Sequence, residues 1–138
     1  MKKLLCAICL VLVLSGAVWA EDANTVAVEE LSKTSSSWNG NALPNYSEGT
    51  PEITILRITI PAGVQLEMHE HTVINAGVML RGELTVVTED NKTLHLKAGE
   101  SIVEVVNTWH YGKNEGSEPA EIIVFYAGEV GTPITIKK

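Results

Sequence analysis

Between residues 52 and 127 the chain is interrupted by turn-forming residues about every eight to twelve positions, and none of its apolar runs repeats at the three-and-four spacing of a helical face. Runs this short bury their apolar side chains by pairing as strands in two packed layers. The expected fold class is therefore all-β, a sandwich or barrel of roughly nine short strands. Residues 52–60 alternate apolar and polar except at Ile55-Leu56, where the phase slips by one, which predicts a strand with a bulge. Pro61-Ala62-Gly63 turns the chain. Residues 76–80 are continuously apolar, as a strand buried on both faces would be. Residues 84–88 and 93–97 read as a hairpin across Glu89-Asp90-Asn91-Lys92, residues 101–106 and 121–127 as further strands, and residues 132–138 as a closing edge strand.

What precedes the strands has a different character. Lys2 and Lys3 lead into an apolar run over residues 4–17, and Val18-Trp19-Ala20 precedes the acidic pair Glu21-Asp22. That order reads as a secretory signal peptide over residues 1–20, with an uncleaved membrane anchor as the alternative, and the expected location is periplasmic or secreted. Cleavage after Ala20 leaves 118 of the 138 residues, enough for one domain. Cys6 and Cys9 both lie in the signal, so the remainder carries no thiol and no disulfide, and its core rests on packing. Residues 21–51 form an N-terminal arm and loop, and residues 52–138 the barrel domain. The Val26, Val28, Leu31 rhythm fits an outer strand or an arm. Residues 35–51 collect Ser, Asn, Gly and Pro around Trp38 and Tyr46, which either pin this loop to the barrel or wall a ligand mouth.

Without the signal there are 8 basic residues against 17 acidic ones, a net charge of −9. Such a surface repels phosphate backbones and anionic lipid, which excludes a nucleic-acid partner and, after signal cleavage, a membrane one. No Ser-His-Asp set, cysteine nucleophile, phosphate loop or dinucleotide fingerprint is present.

Three of the four histidines are clustered in two short stretches. His69 and His71 are two apart, and on a strand that spacing puts both imidazoles on one face, with Cα atoms about 6.6 Å apart. His110 follows in Thr108-Trp109-His110-Tyr111. His95, between Leu94 and Leu96, alternates with apolar neighbours and is expected to face solvent. Glu67 shares the parity of His69 and His71, so it is a candidate inward-facing general base or partner of a bound ion. Glu104 is a weaker candidate, and Met79, Trp109, Tyr111 and Phe125 line the cavity or belong to ordinary core.

In spacing these stretches resemble the two motifs of the cupin superfamily. The first, Gly, five residues, His-x-His, three residues, an acid, six residues, Gly, is met by Gly63, His69, His71 and Gly82, with Asn75 where Glu is usual. The second is met by Gly99, His110 and Asn114, with Val105 at the usual Pro and Asn107 at the usual Gly. The resemblance implies a double-stranded β-helix or jelly-roll barrel, a homodimer, and a divalent ion (Zn, Fe, Mn, Cu or Ni) held by His69, His71 and His110, with Asn75 in the place of the carboxylate. Asn114 is expected to stabilise a turn. A neutral amide at position 75 leaves the ion's charge uncompensated, which weakens binding and strengthens the ion as a Lewis acid.

Three functions follow from these residues: a metal-dependent oxygenase, isomerase or hydrolase acting on a small organic molecule; a non-catalytic protein that binds a small ligand or the metal; and a metal-free scaffold. Because one fold hosts many activities, the motifs do not choose among them.

Overall fold

A computed structural model describes residues 25–138, so the expected signal peptide at 1–20 lies outside the described residues. Nine strands follow one another: β1 (Pro51–Ile60), β2 (His69–Glu70), β3 (Ile74–Arg81), β4 (Glu83–Thr88), β5 (Thr93–Lys97), β6 (Ser101–Val103), β7 (His110–Lys113), β8 (Ala120–Glu129) and β9 (Ile136–Lys137). They form two antiparallel sheets, ordered β1-β8-β3-β6 and β5-β4-β7-β2-β9. This is the expected double-stranded β-helix, and among the described residues there is no helix.

Ile60, Met79, Leu84, Val86, Leu96, Ile102, Ile122, Val124 and Tyr126 fill the space between the sheets. Each such side chain contributes about 1.5–3 kcal/mol by leaving water. Inward positions alternate along the strands, as with Asn75, Gly77 and Met79 on β3.

Two strand expectations are corrected. The Ile55-Leu56 slip is not a bulge: β1 pairs with β8 without interruption from Pro51↔Glu129 to Ile60↔Ala120. The pattern slips because the outward face of β1 is itself apolar near its start, with Ile53 and Ile55 exposed while Ile58 and Ile60 face the core. The register shift falls instead in β3, between Met79 and Arg81. Of residues 132–138 only 136–137 are strand, and β7, which carries His110, was not anticipated because Gly112 reads as a turn residue.

Gly82 joins β3 to β4 at φ 72°, and a Cβ there would lie 2.9 Å from both the Ala120 Cα and the Pro119 carbonyl. That combination admits only glycine. Asn107, at the position where the motif has glycine, takes φ 51°, a left-handed conformation that Asn tolerates better than most residues. Its N–H donates to the His71 carbonyl at 2.8 Å.

Residues 25–34 are an arm and not a strand, with Val26 and Val28 exposed. The arm is held where the Ser101 hydroxyl donates to the Leu31 carbonyl at 2.9 Å. In the loop that follows, Trp38 packs against the core and its backbone N–H donates to the Val103 carbonyl at 2.9 Å. Trp38 thus pins the loop. Tyr46, 80% exposed, does not.

Candidate metal centre

His69 lies on β2 directly opposite His110 on β7, so a cross-strand pair puts both imidazoles on one face. His71, two residues on, forms an isolated bridge with Val106. The ring centroids are 4.4 Å apart for His69 and His110, 5.0 Å for His71 and His110, and 5.1 Å for His69 and His71. One ligand atom from each lies within 4.8 Å of the other two.

Hydrogen bonds decide which nitrogen each ring presents. His69 Nδ1 is 2.7 Å from the Glu67 carbonyl oxygen and His110 Nδ1 is 2.8 Å from that of Thr108. His71 Nδ1 is 3.1 Å from both the Ile134 carbonyl and the Thr135 hydroxyl. A carbonyl only accepts, so each Nδ1 carries the proton, and each neutral ring is left with a lone pair on Nε2. The rings are neutral because burial lowers all three pKa values, that of His71 to about 3. His110 Nε2 is buried with no hydrogen-bond partner. Three unprotonated nitrogens turned towards one another, one of them orphaned, fit a soft or borderline divalent cation with imidazole ligands.

The rings border a cavity of about 50 Å³ between the sheets, with otherwise apolar walls such as Ile58, Leu66, Val86 and Val124. Glu104 and Tyr126 are its other polar lining residues. Burial pushes the Glu104 carboxyl up to about 7, and burial with the Glu104 charge pushes the Tyr126 hydroxyl up to about 12. Glu104 Oε2 is buried, has no hydrogen-bond partner, and lies 3.8 Å from His110 Nε2. The Trp38 indole N–H is near Glu104 but makes no hydrogen bond of full geometry.

The structure does not bring Glu67 to this cluster. Strand β2 begins only at His69, so the parity that would turn Glu67 inward does not extend to it. Its side chain is 72% exposed and pairs with Lys137 at 2.6 Å, which holds the carboxyl below its usual range. Asn75 is buried on β3, opposite Tyr126, but is not in the cavity lining. Its Nδ2 donates to the Val73 carbonyl at 3.2 Å and its Oδ1 has no partner.

Asn114 has the expected structural role: fully buried, it donates from Nδ2 to the Ile60 and Glu118 carbonyls at 2.9 and 2.8 Å and accepts from the Gly116 N–H at 3.0 Å. His95 is exposed, its Nδ1 3.0 Å from the Thr85 hydroxyl. Met79 is ordinary core, Phe125 faces outward at 48% exposure, and Trp109 lies under the Lys138 ammonium, 5.6 Å from the ring centroid. None of these, nor Tyr111, lines the cavity. Sequence reasoning missed Tyr126, whose signal is its shared parity with Ile122 and Val124. It underrated Glu104, an acid set in the apolar run Ile102-Val103-Glu104-Val105-Val106.

Comparison with known proteins agrees with this fold. The chain superimposes on a DMSP lyase, DddQ, from Ruegeria pomeroyi with TM-score 0.55 and 19% identity, covering 62% of this chain and 43% of the lyase. A conserved protein with a double-stranded β-helix domain from Klebsiella pneumoniae gives TM-score 0.54 and 18% identity over 67% of this chain and 88% of its own. Oxalate decarboxylase from Bacillus subtilis, a protein with Mn(II) centres, gives 0.53 and 21% over 62% of this chain. The chain spans only 43% of the lyase and 23% of the decarboxylase, and at these identities the likeness shows the fold alone. No curated protein matches the chain. The family model described as cupin domain matches residues 56–126, more than half of the sequence and all of both histidine stretches. With two β-helical sheets and three histidines gathered between them, the chain belongs to the cupin family.

Proposed function

We propose that this chain is an exported cupin that binds one divalent metal ion through His69, His71 and His110 and presents it to a small organic molecule. The observation that carries this reading is that all three Nδ1 atoms are held by backbone carbonyls, which leaves three Nε2 lone pairs facing one another. Zn, Fe, Mn, Cu and Ni are all compatible with such a set, with imidazole favouring Zn, Fe, Cu and Ni. A bound ion would act as a Lewis acid on a ligand oxygen or on water. The chain's own residues would hold the imidazoles in one tautomer, exclude bulk water with apolar walls, and offer the Glu104 carboxyl and Tyr126 hydroxyl near the ligand. Oxygenase, isomerase or hydrolase activity fits this equipment.

A second reading, a non-catalytic protein that captures a small ligand or the metal, is favoured by the cavity, which at about 50 Å³ admits little beyond a few water-sized groups. Elemental analysis of the untagged protein, beside His71→Ala, tests the core of both. About one ion per chain, lost in the variant, is the expected result, and its identity directs the substrate screen. An ion-free protein in both preparations would leave the scaffold reading.

Homodimerisation is part of the proposal. It is supported by the outward face of the β1-β8-β3 sheet, where Ile53, Ile55, Leu80 and Phe125 are exposed. A single-chain mass by light scattering would refute it, and an exported protein beginning elsewhere than Glu21 would refute cleavage after Ala20.

A further inference from the structure

The motif position that supplies a carboxylate in cupins is occupied here by Asn75, yet the site contains a carboxylate. β3 and β6 pair antiparallel with Ala76 opposite Val103, and the Glu104 N–H continues the ladder by donating to the Asn75 carbonyl at 3.0 Å. Asn75 and Glu104 are therefore neighbours across adjacent strands, and both side chains are buried. The exchange shifts the acid by one strand and places it in the cavity lining.

Two observations give that acid a task. Glu104 Oε2 is enclosed with no hydrogen bond of full geometry, although the Trp38 indole and the Val105 N–H lie near the carboxylate, and among the described residues its one ion-pair partner is His110, at 3.8 Å, a ring whose Nδ1 proton is already committed to the Thr108 carbonyl. Among the described residues no Lys or Arg comes within ion-pair distance of it. A buried carboxylate without a cation and a buried imidazole lone pair without a donor are each costly, and one ion placed between them resolves both. The Glu104–His110 separation agrees: two ligand atoms each about 2.1 Å from a tetrahedral ion lie roughly 3.4 Å apart, a few tenths of an ångström inside it. Glu104 lies outside the group of ligand atoms that are all within 4.8 Å of one another, so its carboxylate must turn closer to His69 and His71 when an ion binds.

We propose that Glu104 is the carboxylate ligand of this metal centre, replacing across the β3–β6 pair the acid that Asn75 removes, so that the site is three imidazoles and one carboxylate. The proposal rests on the three-histidine reading. Asn75 is then a buried neighbour of the ligand and not a ligand itself.

The test uses Co2+ alone, added to the metal-stripped full chain and followed by its visible d–d absorption and by competition with a chelator of known affinity. The wild type is expected to bind one Co2+ per chain and His71→Ala to lose it. Glu104→Gln, which keeps shape and removes charge, is expected to weaken Co2+ at least 10- to 100-fold and to change the band intensities. The exchange variant Asn75→Glu/Glu104→Gln is expected to recover affinity to within about tenfold of the wild type. Should Glu104→Gln not fold, Glu104→Asp, which withdraws the oxygens by one methylene, is expected to bind at least about tenfold more weakly. Co2+ affinity within twofold of the wild type in either single variant, with the spectrum unchanged, would overturn the role of Glu104 and leave the three-histidine site standing. A wild type that binds no Co2+ would overturn the three-histidine reading and this proposal together.

Discussion

Replacing Asn114 by Ala should destabilise the protein severely although the residue touches no ligand. Its side chain is fully buried and ties the end of β1 at Ile60 to the turn that follows β7, through the Gly116 N–H and the Glu118 carbonyl. Truncation removes three hydrogen bonds, each with a net value of about 1 kcal/mol. It also leaves the buried Ile60 carbonyl unpaired, at about 1–3 kcal/mol, while the part-buried Glu118 carbonyl and Gly116 N–H can turn to water. Partial relaxation of the turn offsets some of this, so a loss of about 3–5 kcal/mol is expected, at the upper end for single substitutions. Asn114→Asp should do at least as badly, because a carboxylate in place of the amide turns two donated bonds into repulsion against carbonyl oxygens. Urea unfolding followed by far-ultraviolet circular dichroism measures both. With a slope of about 2 kcal/mol/M, the midpoint should fall by roughly 2 M. A loss below about 1 kcal/mol at unchanged slope would show that the backbone bonds Gly63–Asn114 and Asn114–Val64 hold this corner alone.

Further outcomes follow from the site and its frame. His71, lowered by burial to about 3 in the folded chain from 6.5, binds a proton more readily when unfolded, so the metal-free protein should gain stability as pH rises from about 3 to 6.5, with His69 and His110 acting in the same direction. Glu104, raised by burial from 4.5 to about 7, acts in the opposite sense: its contribution is present below 4.5 and lost as pH rises to 7, so Glu104→Gln should steepen the gain in a series of urea titrations across that range. Gly82→Ala, with φ 72° and contacts of 2.9 Å to backbone atoms, should cost about 1–3 kcal/mol or more and lower the thermal midpoint, whereas an unchanged midpoint would mean that the β3–β4 turn can move off residues 119–120. Glu67→Gln should leave the affinity for Co2+ within about twofold, since its carboxylate is exposed and paired with Lys137, and a tenfold loss would place it at the ion after all.

The strands were legible because turn chemistry and alternation agree over most of the barrel, and the 93–97 strand matches β5 residue for residue. His69 and His71 were legible for a related reason: a spacing of two has one simple meaning on a strand. The same rule carried too far gave the inward Glu67, because parity holds only while the backbone is extended, and β2 is two residues long. The slip at Ile55-Leu56 shows the complementary failure: an apolar outer face looks, in one dimension, like an inserted residue. Glu104 could be suspected from its apolar neighbours, but its closeness to His110 depends on β3–β6 and β2–β7 pairings that no local pattern encodes. Tyr126 reaches the cavity for the same non-local reason.

The three backbone acceptors that orient the imidazoles differ in how far they lie along the chain. Those of His69 and His110 are two residues away, whereas that of His71 is 63 residues away, on the segment leading into β9. In folding terms, two rings can take up their tautomer from their own neighbourhood, while the third does so only once the segment before β9 has returned to β2. The strand that pairs with His69 from the far end of the chain therefore also completes the ligand set. A metal ion held by all three rings should therefore act as a latch on β9 and slow unfolding.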